Sequence, residues 1–272
     1  MLKSSRSLIG IAAGSVLLNA ALAISLFRMR RRAELLAAAR EKATADLQNL
    51  QQAFHQFAPQ RVVEDVIKRG VSTSGETRQV TVLFADIVEF TALSESLSPE
   101  TLVRILNGYF EAASTAVTHH GGHVAKFIGD GVMAIFGAPE SNAWHAMDAV
   151  IAAVSLRDRI GSYNDELRKQ NLPELDVRIG VHSGNVVAGV VGSRENLEYT
   201  VIGDVVNTAA RIESLTRKHG VGILISADVR PALDGRFKLR QLPPEYVKGK
   251  AEPVVSFAVE AFSEAQSDPP SF

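Results

Sequence analysis

The chain has 272 residues, 46% hydrophobic and 22% charged, with a formal net charge of −1, which fits one globular domain with appendages. That balance gives no reason to expect a nucleic-acid partner, which requires a concentrated basic surface. The absence of cysteine excludes disulfides and thiolate chemistry and agrees with a reducing compartment.

From the N-terminus, Leu8 to Phe27 is an uncharged run long enough to cross a bilayer as a helix. Arg28, Arg30, Arg31 and Arg32 after it outnumber Lys3 and Arg6 before it, so the positive-inside bias puts the rest of the chain in the cytoplasm. Residues 1–30 therefore read as a segment carrying one transmembrane helix over 8–27. Ala21-Leu22-Ala23 also has the small-residue spacing of a cleavage site, which makes a removable signal peptide the second reading. Residues 31–75 read as a helical juxtamembrane linker. In it Leu36, Ala43, Leu47, Leu50, Phe54 and Phe57 approach a 3,4 spacing, with Arg40 at one seam position, so either a short parallel coiled coil or a solvated linker helix fits. A second short helix over Gln56 to Gly70 leads to a polar boundary at Val71 to Thr77.

The main domain spans 76–262. Its first strand, Val80-Thr81-Val82-Leu83-Phe84-Ala85-Asp86-Ile87, is apolar and delivers a carboxylate at its end. Ser98-Pro99-Glu100 is an N-cap with proline at the first helical position, and Leu102, Ile105, Leu106, Tyr109, Phe110 and Ala113 trace the apolar face that follows. Lys126-Phe127-Ile128-Gly129-Asp130-Gly131-Val132-Met133 reads as a hairpin turning at its Asp-Gly step, with Asp130 exposed at the tip. A helix over Ala143 to Gln170 then connects to a strand at Asp176 to His182. Further strands are expected at Val186 to Val191, Tyr199 to Ile202, Val221 to Ile225 and Val254 to Val259. Between the second and third of these, Gly203-Asp204 opens a helix whose Asn207 and Arg211 stand at i and i+4 on one face. An amide and a guanidinium one turn apart suit a sugar and a phosphate. Residues 263–272 read as a disordered tail.

Either aspartate alone is most simply a turn former or cap. Together with the Tyr199 to Arg211 segment, the run from Thr77 to Val259 resembles the catalytic domain of class III nucleotidyl cyclases, which convert ATP or GTP to the cyclic mononucleotide. The resemblance implies an α+β fold, a ferredoxin-like core with a mixed, largely antiparallel sheet and helices packed on one side. It implies two Mg²⁺ or Mn²⁺ ions per active site, held by Asp86, the Ile87 carbonyl and Asp130. Lys126 and Thr200 stand where the family reads the base. Lysine donates to adenine N1 and threonine accepts from N6, so the pair implies ATP as substrate, although a hydroxyl that can also donate weakens discrimination against GTP. The resemblance further gives Asn207 to the ribose, Arg211 to charge at the α-phosphate, and Lys248 and Arg178 to phosphates, with Lys250 able to replace Lys248.

Because the family divides these groups between two catalytic domains and this chain carries both sets, a head-to-tail homodimer with two composite sites is expected. The expected protein is a single-pass adenylate cyclase of the inner (plasma) membrane with a cytoplasmic catalytic domain; an exported domain would lack ATP. A guanylate or dual-specificity cyclase is the alternative, and a catalytically silent nucleotide-binding module is the alternative of another class. A diguanylate cyclase is excluded by the lack of a Gly-Gly-Asp/Glu-Glu-Phe signature.

Overall fold

Strand β1, Glu76–Ile87, is the spine of the domain, because it pairs along its length with β4 (Val177–Gly192) and on its other edge with β3 (Gly131–Phe136). The structure, a computed structural model, describes residues 28–32, 34–47, 62, 75–193, 197–246 and 252–263. Two units are distinguished, Met1–Phe57 and Ala58–Phe272. In the first, residues 28–32 and 34–47 are helical and exposed throughout. The expected membrane span at 8–27 lies outside the described residues. So do Leu50, Phe54 and Phe57 of the linker seam, most of the Gln56 to Gly70 helix, and the tail from 264 on. Among the described residues, no helix is long and apolar enough to cross a membrane.

In the second unit, β1 is followed by α1 (Phe90–Ser96), α2 (Pro99–His119), the hairpin of β2 (Gly122–Ile128) with β3, α3 (His145–Lys169) and β4. Strand order β2-β3-β1-β4 and the alternation of strands and helices make this a ferredoxin-like α+β core. It continues through β5 (Leu197–Ile202), α4 (Asp204–His219), β6 (Ile223–Ser226), β7 (Phe237–Gln241) and β8 (Ser256–Phe262). The sheet is mixed, since β4 pairs β6 in parallel while its other partners run antiparallel. The Ser98 side chain caps α2 by accepting from the Thr101 amide at 3.3 Å, as the Ser-Pro-Glu signature predicts.

Alternation along β1 sorts the core into two layers. Leu83, Ala85 and Ile87 pack with Ile105, Tyr109 and Val117 of α2 and with Ala149, Ala153 and Leu156 of α3. Val80 and Val82, on the opposite face, pack with Met133, Ile135, Val201 and with Val205 and Ala209 of α4. The expectation of helices on one side is thus corrected. α2 and α3 cover one face, and α4 covers the other because its Val205, Ala209 and Ile212 are buried while Asn207 is exposed.

Three local expectations also change. The strands expected at Asp176 to His182 and Val186 to Val191 are one continuous strand, β4, running straight through Gly184. A side chain there would run into Val205, so the glycine serves close helix approach and not a turn. The hairpin turns on Gly129-Asp130 and not on Asp130-Gly131, because Ile128 pairs with Gly131 and Gly129 takes the positive φ of 64°. α1 and β7 were not anticipated: α1 has no fully buried residue, and β7 is five residues with one.

Candidate active site

Asp86 reaches the site because β1 pairs almost to its end, leaving Asp86 directly opposite Arg178 of β4. Its even position points it to the face that α4 covers. Asp130 arrives from the β2–β3 loop, and the register of Ala85 with Val132 sets that loop beside Asp86. Asp130 lies close enough to oppose ionisation of Asp86 through both hydrogen bonding and charge. Gly131 leaves the space beside them open: a Cβ there would lie 3.8 Å from Asp86 Oδ1.

A further carboxylate, Glu213 of α4, acts electrostatically on Asp86 and lies within the field of Asp130 and Arg178. α4 sits against the sheet here because residue 180 is glycine; a Cβ would overlap the Glu213 backbone nitrogen. Burial first, then hydrogen bonding with Asp130 and the charges of Asp130 and Glu213, raise the Asp86 pKa from its ordinary 3.8 to about 7. Burial likewise pushes Glu213 up. Tyr109 is fully buried, its hydroxyl has no hydrogen-bond partner, and it feels all three carboxylates.

Two acid groups close enough to hold back ionisation form a poor arrangement for an empty protein and a good one for a hard divalent cation, which competes with the proton. The donor set fits such an ion. Among the described residues, no cluster of three or more His, Asp or Glu side chains stands ready to hold a metal, so the remaining donors would be backbone carbonyl, phosphate and water. The proton competition gives a test. The fold favours protonated Asp86, so in the metal-free protein this group's contribution is undiminished below its ordinary pKa of 3.8 and is lost as pH rises toward about 7. Metal removes that loss only where the proton has left. Saturating Mn²⁺ is therefore expected to raise the Tm more at pH 8 than at pH 6, and Asp86→Asn to abolish the difference; equal shifts at both pH values in the wild type would contradict it.

Arg211 lies two residues before Glu213, about 200° around the helix, so the two project to opposite sides of α4. The charges acting on Asp86 are Asp130 and Glu213, and Arg211 is not among them. Arg211 is half-buried with one terminal guanidinium nitrogen lacking any acceptor, an arrangement suited to an anion. Asn207, on the same face, is exposed. Lys126 and Thr200 come from strands four positions apart in the sheet, β2 and β5. They approach because the far half of β4 carries β5 back over the sheet: Ala125, Tyr199 and Val201 join one apolar cluster, His123 and Tyr199 rings lie 6.5 Å apart, and Lys126 Nζ is 2.9 Å from Glu198 Oε1.

The structure therefore brings together Asp86, Asp130 and Arg178, joins Lys126 to the strand bearing Thr200, and turns Asn207 and Arg211 away from their own chain's carboxylates. Lys248 and Lys250 lie outside the described residues. Sequence reasoning missed Glu213, Glu198 and Tyr109. The helical angle from Arg211 could have flagged Glu213, and the alternation of β5 places Glu198 on the face of Thr200, but nothing local reveals what either meets.

A carboxylate pair at the end of the sheet's central strand beside an arginine, with a second polar set held apart on α4 and β5, suits a divalent cation and an anionic ligand. Residues 72–261 match the adenylate and guanylate cyclase catalytic domain, and the chain belongs to this class III cyclase family, whose members are divalent-metal-dependent lyases. It is 35% identical over 200 residues to adenylate cyclase 1 of Rhizobium meliloti, covering 73% of this chain and 30% of that one. Among solved structures it resembles the guanylyl cyclase Cya2 (TM-score 0.64, 36% identity, 70% of this chain and 95% of that one). It also resembles the adenylyl cyclase CyaB from P. aeruginosa (TM-score 0.66, 32% identity, 71% and 100%). The chain thus spans less than a third of the length of the Rhizobium relative.

Proposed function

We propose that this chain is an adenylate cyclase that converts ATP to 3′,5′-cyclic AMP and pyrophosphate at sites shared between two copies. The observation that carries the base assignment is the return of β5 over β2, which puts the Lys126 ammonium against the strand that bears Thr200. Lys126 donates to adenine N1, and the Thr200 hydroxyl accepts from N6. Asp86, Asp130 and the Ile87 carbonyl would hold two Mg²⁺ or Mn²⁺ ions. Bound there, such ions make the 3′-hydroxyl more acidic and neutralise charge on the triphosphate. Asn207 orients the ribose, and Arg211 supplies the donors for charge growing on the α-phosphate as the 3′-oxygen attacks and pyrophosphate leaves. Arg178 and Lys248 hold the outer phosphates.

The opposed directions of Glu213 and Arg211 on α4 support homodimerisation. It is supported by Val187 and Ile202, which face each other across β4 and β5 while 48% and 54% exposed. We further propose that the apolar run at 8–27 anchors the protein once in the inner membrane, with the catalytic domain in the cytoplasm and the second subunit kept at high effective concentration. The 36% identity to a guanylyl cyclase keeps a GTP-using or dual-specificity enzyme as the second reading.

Incubating the chain with ATP or GTP and Mg²⁺ or Mn²⁺, and identifying products by mass, tests the proposal. Cyclic AMP is expected as the dominant product. Dominant cyclic GMP overturns the base assignment, and no turnover of either nucleotide leaves a silent binding module.

A further inference from the structure

Lys126 has a partner that its assignment to the base does not explain. Its Nζ lies 2.9 Å from Glu198 Oε1, with the two side chains 36% and 46% exposed. An ion pair this exposed adds little to fold stability. Nor is it a by-product of strand pairing, because β2 and β5 are not neighbours in the sheet. Glu198 opposes Val191 and Thr200 opposes Gly189 on β4, so the two side chains leave β5 on the same face, one pleat apart. That face is the one away from the apolar cluster, since Tyr199 and Val201 between and beyond them pack inward. The carboxylate and the hydroxyl thus flank one surface, and the lysine reaches across to it from β2.

We infer that Glu198 is a positioning residue for base selection: it fixes the direction of the Lys126 ammonium and thereby sets the preference between adenine and guanine. The inference rests on the reading of Lys126 and Thr200 as the base-facing pair. A lysine is a point charge on a flexible four-carbon stem with three donors. With one donor tied to Glu198, the others point in a defined direction. Adenine presents an unprotonated N1 to such a donor, whereas guanine presents N1–H, which opposes it, and places its acceptor at O6 instead. An untethered ammonium can swing from one acceptor position to the other. The tether therefore converts a permissive lysine into a discriminating one, and it does so without contact between Glu198 and the base.

The test is a double-mutant cycle on the full chain with Glu198→Gln, Lys126→Ala and the combination, reading kcat and KM for ATP and GTP. Glu198→Gln is expected to raise the KM for ATP about tenfold, to change kcat less than about threefold, and to lower the ATP-to-GTP ratio of kcat/KM about tenfold. In the Lys126→Ala background the same change should move that ratio less than about twofold, because its effect runs through the lysine. Glu198→Asp, which keeps the charge, should recover part of the ratio. If Lys126→Ala turns over too slowly, nucleotide binding by calorimetry with Ca²⁺ supplies the same ratio. An unchanged ratio in Glu198→Gln overturns the inference, and so does an undiminished effect in the Lys126→Ala background, which would mean direct contact with the base or a general structural role. A wild type that prefers GTP overturns the substrate assignment instead, and the coupling between Glu198 and Lys126 then decides the positioning role by itself.

Discussion

Asp86→Ala and Asp130→Ala are each expected to reduce cyclic nucleotide formation by roughly a thousandfold or more, the scale on which loss of a dominant electrostatic group acts. Neither change should cost stability. In the metal-free protein Asp86 is half-buried beside Asp130 and within the field of Glu213, and its pKa is raised to about 7 by that environment. Removing one carboxyl relieves this crowding, so the Tm of each variant without metal should equal or exceed that of the wild type. A site built for function at the expense of stability predicts both results together. Turnover within tenfold of the wild type in either variant contradicts the metal assignment, and a fall in metal-free Tm contradicts the reading of the pair as strained.

The second large effect is recovery of activity from two inactive proteins. Arg211 and Glu213 leave α4 in opposite directions, and Glu213 faces the carboxylates of its own chain. In the proposed shared site Arg211 serves another copy. Asp86→Ala and Arg211→Ala homodimers should each be inactive, since every site carries a lesion. In the mixed dimer both lesions fall in one site, and the other combines native Asp86 from one chain with native Arg211 from its partner. Activity should approach half the wild-type rate per dimer if the sites are independent. Mixed dimers verified by differential tags that remain inert refute the shared site. Complementation would also explain the buried guanidinium nitrogen of Arg211, which has no acceptor within its own chain.

What the sequence determined by itself were features of short range. The apolar run ending in Asp86, the glycine turn at Asp130, the Ser98 cap of α2 and the Asn207 and Arg211 spacing each depend on residues within a few positions, where backbone geometry allows few solutions. Even there the turn slipped by one residue, because Gly129-Asp130 and Asp130-Gly131 compete for the same loop and Gly129 takes the left-handed position. Only the tertiary structure decided what the side chains meet. The layer that α4 occupies follows from burial of Val205, Ala209 and Ile212 against the sheet face opposite α2 and α3, and that choice brings the Glu213 charge to bear on Asp86. The pairing of Lys126 with Glu198 joins residues 72 positions apart on strands that never hydrogen-bond to one another. It exists because the sheet coils and β4 runs long enough to bring β5 back over β2. Curvature accumulates over many residues and leaves no mark in any one of them.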